Sequence, residues 1–255
     1  MLDEAITLLF AGQDTSAATL SWTLHLLSLH PEIQETMARE VRSVLDERRN
    51  KTGNDDDDDD DIVTRRDVSK MPYMDAVIKE AMRLYPVAPF VVRRIPYDMV
   101  IRGCSTPSDG TTTTTGNNNN STHSKETSVR LSEGVLACVW IYGLHRNPDI
   151  WEKPDDFVPE RWLDGDDNDD VGKTTRRPQS SSSLASSSYM PFCAGPRNCV
   201  GQPLAHVVLR LILASLVANY RFVDERQEQQ QGHRLMLSRR KEMQAGFTIL
   251  PQGGV

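Results

Sequence analysis

The sequence predicts an α+β chain, mainly helical with small β-sheets, and three observations support that reading. Four stretches repeat apolar residues with helical period, near 2–30, 31–48, 73–85 and 204–220. Short β-type segments are confined between Val87 and Trp140. Polar low-complexity runs fall between these patterns, at about 50–61, 105–128 and 164–188. Loops tolerate such insertions because closure entropy grows slowly with length.

The first helix is expected from about Leu2 to His30, with Ile6, Leu9, Phe10, Leu20, Leu24 and Leu27 as its apolar positions. It contains Ala11-Gly12-Gln13-Asp14-Thr15-Ser16. A mid-helix glycine costs about 1 kcal/mol against alanine. Thr15 lies four residues past Ala11, so its hydroxyl can bond the Ala11 carbonyl, which bends or opens a helix. A locally opened helix with an acid beside a hydroxyl can pass protons to something bound against it. Taken alone, such a string is more often a packing glycine with two ordinary polar residues.

Pro31 suits the first position of a second helix, expected to run to about Arg48. Its charges Glu32, Glu35, Arg39, Glu40 and Arg42 are expected on a solvated face, and Asn50–Asp61 is expected to be disordered. Helical pattern returns at Tyr73 and stops before Pro86, and contains Glu80-Ala81-Met82-Arg83. A Glu–Arg pair at i and i+3 contributes only about 0.2–0.5 kcal/mol on an open surface. Strands are expected at Val87–Val92, Tyr97–Arg102, Val129–Leu131 and Gly134–Trp140, the second insertion inflating a hairpin loop among them. His145-Arg146-Asn147-Pro148, Trp151 and Pro154 then lead to Pro159-Glu160-Arg161-Trp162. His145 has ligand chemistry and is read as structural. A last helix over Leu204–Tyr220, a polar loop at Asp224–His233 and a strand pair within Gln244–Leu250, turning near Gly246–Phe247, complete the chain.

The formal charge of −7 has a local origin. Asp55–Asp61 supplies seven acids, and without them 29 acids face 29 Lys and Arg. The charge therefore makes no case for nucleic acid or a basic partner. Cys104, Cys138, Cys193 and Cys199 form no CxxC pair, which favours a reducing compartment over a disulfide scaffold. The six histidines show no zinc spacing. No run reaches the roughly 18 uncharged apolar residues of a membrane span. The nearest, Leu204–Ala218, is interrupted by His206 and Arg210. Asp3 and Glu4 rule the first residues out as a basic signal-peptide start.

The stretch Met190–Gly201, MPFCAGPRNCVG, sits between a serine-rich run and the last helix. Cys199 is placed where a tight loop meets a helix N-terminus, the kind of position that stabilises a thiolate. Gly195 and Gly201 are expected to supply turns that a Cβ resists and to admit a flat ligand closely. Arg197 offers a guanidinium fork to a carboxylate, and Phe192 is expected to screen the sulfur from water. The loop reads as a seat for a thiolate that binds a soft metal. A lone cysteine is more often an inert buried thiol; five fixed positions in ten argue otherwise.

Phe192-x-x-Gly195-x-Arg197-x-Cys199-x-Gly201 resembles the haem-ligand signature of the cytochrome P450 family, the haem-thiolate monooxygenases. Ala11–Ser16 is similar to that family's oxygen groove, Lys79–Pro86 to its ExxR helix, and Pro159–Trp162 to its PERW motif, all in the family's order. The resemblance implies haem b, with Cys199 as the thiolate ligand of its iron, which favours O–O cleavage. Phe192, Gly195, Arg197 and Gly201 would line the cofactor, as would Ala11 and Gly12. It makes Thr15 the hydroxyl that bonds dioxygen and Asp14 the proton-relay acid. Arg93, with Arg94 as competitor, takes a haem propionate, and Val87–Val92 walls the substrate pocket. Glu80, Arg83 and Arg161 are expected to form one buried network, structural rather than catalytic. Two cations on one buried carboxylate make sense only with added backbone hydrogen bonds. Cys193 stands where relatives often carry Ser, Gly or Asn.

By the same resemblance the partners are an NADPH-dependent reductase, O2 and a small lipophilic substrate. The location is the cytoplasmic face of the endoplasmic reticulum, with membrane contact only through an upstream part. Met1 lies close to the oxygen-binding helix, so residues 1–255 are expected to be a single partial domain, the C-terminal haem-bearing half of a monooxygenase. The alternative is a non-catalytic haem-binding fragment. A haem-thiolate isomerase or dehydratase usually lacks the threonine, so Thr15 opposes that third reading.

Overall fold

Pro31 separates the first two helices of the computed structural model, which describes residues 2–52, 62–102, 128–163, 187–223, 243–245 and 249–251. The helices are α1 (Leu2–Leu29), α2 (Pro31–Thr52), the one-turn α3 (Arg65–Val68), α4 (Pro72–Leu84), the short α5 (Ile141–Leu144) and α6 (Gln202–Asn219). Two 3-10 turns, Pro159–Trp162 and Gly195–Arg197, carry motif residues. The strands are β1 (Val91–Arg94), β2 (Met99–Arg102), β3 (Ser128–Leu131), β4 (Leu136–Val139), β5 (Met243–Ala245) and β6 (Ile249–Pro251). The α+β expectation holds. The chain divides into two compact units, one of residues 1–89 and 140–255, the other of residues 90–139.

In the helical unit, the apolar stripes of α1, α2, α4 and α6 meet in one core. Leu27, Met37, Val41, Met74, Val77 and Leu213 lie at its fully buried centre. Gln34 on α2 binds this arrangement with buried polar bonds. Its amide donates to Leu27 O (3.0 Å) and Phe222 O (2.8 Å), and its carbonyl accepts from Phe222 N (2.8 Å). The start of α4 depends on α2 as well. Tyr73 and Met74 donate their backbone N–H groups to Glu40 at 2.8 and 2.9 Å. Those amides have no intrahelical acceptor, so Glu40 caps a neighbouring helix and does not belong to a solvated face. Tyr85 and Pro86 then end α4, since proline disfavours helix in the residue before it.

The core helix α6 has the length and composition to cross a bilayer despite Arg210, more than the sequence reading granted it. One face of it packs into the helical core. Leu209, Leu213, Ala214 and Val217 are buried, and Arg210 makes a paired contact with Asp75 of α4. α2 runs past the expected end to Thr52, so Asn50–Thr52 continue a helix. The remainder of the first low-complexity run lies outside the described residues, as do most of the other two and the polar loop at 224–233. β5 and β6 pair antiparallel, and the turn expected near Gly246–Phe247 also lies outside.

The smaller unit holds two antiparallel ladders, β1 with β4 (Val91↔Val139) and β2 with β3 (Met99↔Leu131). Ile95 N–H donates to Val135 O and Gly134 N–H to Ile95 O, both at 2.8 Å. Three of the four strands start later than the sequence suggested, while β3 starts one residue earlier, at Ser128. Pro86 and Pro89 lack N–H donors, so pairing waits until Val91. Asp98 is spent on a turn, where it accepts from Arg130 (2.9 Å) and Glu133 N (2.8 Å). Gly134 adopts φ 83° in the turn that precedes β4, so that strand begins at Leu136 rather than at Gly134.

Candidate functional site

The buried centre of the helical unit is a single carboxylate. Glu80 and Arg83 face the same side of α4 and are both 0% exposed. The guanidinium grips the carboxylate as a fork, Nε to Oε2 at 2.9 Å and Nη2 to Oε1 at 2.8 Å. Its remaining three N–H bonds go to the carbonyls of His145 (2.8 Å), Pro154 (2.6 Å) and Asp156 (3.0 Å). All five donors that an arginine owns are therefore used. Glu80 in turn accepts from Arg161 Nε at 3.0 Å, Val158 N at 3.1 Å and Trp162 Nε1 at 2.9 Å. Two cations and one anion leave a net positive charge. Backbone carbonyls around Arg83 make that tolerable, since a buried ion is stable only when its hydrogen bonds are satisfied.

The segment wrapped on Arg83 is held by aromatic packing. Trp151, 1% exposed, lies under the guanidinium at 5.4 Å from the ring centre and donates Nε1–H to Leu144 O at 3.1 Å. Tyr189 stacks on His145 at 5.5 Å and donates its hydroxyl to Lys79 O at 3.1 Å. The His145 ring has neither nitrogen free. Nε2 accepts from Met190 N at 3.0 Å, so Nδ1 bears the proton and donates to Arg83 O at 3.2 Å. That settles its chemistry: with both nitrogens engaged it is no metal ligand. Burial, opposed only in part by the Arg83 carbonyl, pushes its pKa down to about 4.

From Met190 the chain enters the cysteine loop. Cys193 N–H returns to Met190 O at 3.0 Å, and Cys199 N–H bonds Phe192 O at 2.9 Å, closing the loop on itself. Gly195–Arg197 form a 3-10 turn, and Gly201 is the N-cap of α6, two residues past Cys199. The Cys199 thiol is exposed. Phe192 does not cover it, because its ring packs on the helical core and against His206 at 5.1 Å. Gly195 has φ 79° and open space where a Cβ would stand. Gly201 differs from expectation. Its φ is −81°, and a Cβ there would meet Cys199 Sγ at an ordinary 3.8 Å. The second left-handed residue of the loop is Cys193, at φ 61°, a conformation that glycine and asparagine adopt more readily. Arg197 is exposed and makes no ion pair among the described residues.

On α1, Thr15 Oγ1 donates to Ala11 O at 2.7 Å, yet the helix runs unbroken through both residues, so the expected opening is not formed. Ala11, Gly12 and Thr15 are exposed and Asp14 is half-buried. No side chain approaches the position of a Cβ on Gly12 within 4 Å. Arg93 and Arg94 belong to the smaller unit. Arg93 Nη1 bonds Val92 O (2.9 Å) and Arg94 Nη1 bonds Gly134 O (3.1 Å), both in the open. Of the predicted residues, then, the structure joins Glu80, Arg83 and Arg161 directly, and Phe192 to Cys199 through the backbone. Trp162, Val158, His145 and Glu40 were not read from the sequence as members of any network. The tryptophan of the PERW string was the one available signal. Among the described residues no cluster of three metal-ligating side chains exists.

The profile of the cytochrome P450 family matches residues 1–115 and 119–245. The chain belongs to the cytochrome P450 family. It is 32% identical over 218 residues to Cytochrome P450 4d8 of Drosophila melanogaster, covering 86% of this chain and 37% of that protein. Cytochrome P450 4F12 of Homo sapiens is 29% identical over 225 residues (88% and 34%), and Cytochrome P450 3A6 of Oryctolagus cuniculus 29% over 219 residues (86% and 34%). The chain thus spans about a third of the length of these curated P450 relatives. The cysteine loop, the Glu80 cluster and the Ala11–Ser16 string all fall within the matched residues.

Proposed function

We propose that this chain is the haem-bearing part of a haem-thiolate monooxygenase, with Cys199 as the thiolate that would hold the haem iron. The observation that supports it is the setting of that sulfur. It is an exposed thiol on a hydrogen-bonded loop, at the N-terminus of a core helix, in a chain of the P450 family. One thiolate suffices as protein ligand for a porphyrin-held iron, so the absence of a larger ligand cluster among the described residues fits this cofactor. The open space beside Gly195 suits the approach of a flat group. When bound, haem b would supply one-electron and O2 chemistry, with O–O cleavage favoured by the thiolate.

The protein's own part is to hold and to deliver. Glu80, Arg83 and Arg161 anchor the fold beside the cysteine loop. Phe192, Gly195, Arg197 and Gly201 would shape the cofactor's seat, with Ala11 and Gly12 lining it from α1. Thr15 would give up its bond to Ala11 O to donate a hydrogen bond towards O2, and Asp14 would be the acid that supplies protons. Electrons come from an NADPH-dependent reductase, the substrate is small and lipophilic, and the setting is the cytoplasmic face of the endoplasmic reticulum. These follow the relatives rather than any residue of the chain.

Turnover of a fatty acid by the haem-loaded chain with a reductase tests the reading. Thr15→Ala should leave electron consumption intact while product formation falls; unchanged coupling would count against the assigned role. A second reading, a haem-binding chain without turnover, is favoured by the exposure of both Cys199 and Thr15, because an open site does not exclude water. Reductase-dependent product from the purified chain eliminates it.

A further inference from the structure

We propose that His145 is the positioning residue that carries the fixed geometry of the Glu80–Arg83 cluster into the cysteine loop; the proposal rests on the haem-thiolate reading of Cys199. The imidazole is fully buried and joins α4 to the first residue of that loop by hydrogen bonds at both ring nitrogens, beside the Tyr189 hydroxyl that bonds Lys79 O. Its two bonds have opposite direction and cannot be exchanged. Met190 N–H can only donate, so Nε2 must accept and Nδ1–H must point to Arg83 O. That carbonyl lies in the last turn of α4, where no intrahelical partner is available. Arg83 returns the bond by donating Nη1–H to His145 O at 2.8 Å. The two residues therefore hold each other through backbone as well as side chain. From Met190 the restraint passes on within the loop, through Cys193 N–H to Met190 O and Cys199 N–H to Phe192 O. A register shift of the ring would move the loop that presents the thiol.

Two substitutions split the bridge. In His145→Asn the amide nitrogen can take the place of Nδ1 and serve Arg83 O, but nothing reaches Met190. In His145→Gln the amide oxygen can take the place of Nε2 and accept from Met190 N–H, leaving Arg83 O without its donor. If His145 only fills the core and caps α4, Asn is the milder change. If it positions the loop, Gln is. The readout is backbone amide exchange of Met190–Cys199 in the full-length chain, without and with haem, followed by the Soret position of the reduced carbon monoxide complex. Losing one hydrogen bond predicts roughly tenfold faster exchange in His145→Asn, with part of the thiolate band lost, and near-normal behaviour in His145→Gln. Equal or reversed effects overturn the proposal.

Should both variants fail to fold, nitrogen-15 spectra of the wild-type ring decide: a proton on Nε2 rather than Nδ1 overturns the proposal, and one on Nδ1 with a coupling to Met190 N–H supports it. A wild-type chain that shows no thiolate band defeats the haem reading alone. The exchange comparison would still judge the bridge.

Discussion

Replacing Arg83 by lysine keeps the charge beside Glu80 and changes only how it is delivered. Arginine satisfies five acceptors here, two on the carboxylate and three backbone carbonyls. Lysine owns three N–H donors at one point, so at least two of those acceptors lose their partner in a fully buried place. A hydrogen bond to a charged group contributes about 1.5–3 kcal/mol, so the loss comes to about 3–6 kcal/mol. Breaking a buried ion pair outright costs about 3–5 kcal/mol, which falls within the same range. Against a typical total stability of about 5–15 kcal/mol, Arg83→Lys should remove a large fraction of the helical unit's stability. Urea unfolding of the haem-free chain measures it, as a lower midpoint at an unchanged slope. A loss under about 1 kcal/mol would refute the claim that the five-fold satisfaction of Arg83 holds this core.

Acid should destabilise the chain. The folded pKa of His145 lies near 4, against about 6.5 unfolded, so between those values the unfolded chain binds a proton that the folded chain refuses. Stability is therefore complete above pH 6.5 and falls as pH drops towards 4, by about 3 kcal/mol from this residue. His206, also pushed down to about 4 by burial, adds in the same direction, while Glu40, raised by burial, opposes slightly in a window just above pH 4.5. Unfolding midpoints between pH 7 and 4 test this, and a flat profile contradicts it. Glu40→Ala removes both acceptors from the first turn of α4 and should cost about 1–2 kcal/mol, the scale of a lost cap; calorimetry showing no change would place the cap elsewhere.

Helix periods and proline punctuation placed α1, α2, α4 and α6 within a few residues, because each buries one continuous stripe. The strands were less legible. Their limits follow from absent donors at Pro86 and Pro89 and from the Asp98 turn, which hydrophobic alternation does not register. Motif spacing named Glu80, Arg83 and Arg161, but not the donors that complete them. Trp162 Nε1, Val158 N and the carbonyls of His145, Pro154 and Asp156 become neighbours only through chain separations of 62 to 82 residues. Glu40 misled for a related reason. A charge on an exposed-looking helix face reads as solvated until a second helix points its free amides at it. The cysteine loop gave up its register from sequence and hid its second left-handed residue. Glycine at 201 needs no special conformation, while Cys193 adopts one that glycine usually supplies.

The sulfur of Cys199 is the point to measure. The full chain is loaded with haemin, reduced and exposed to carbon monoxide, beside Cys199→Ser prepared alike. A strongly red-shifted Soret band in the wild type that disappears in the serine variant is the expected result. The same band in both would show that another group holds the iron, and the assignment of this loop would fall.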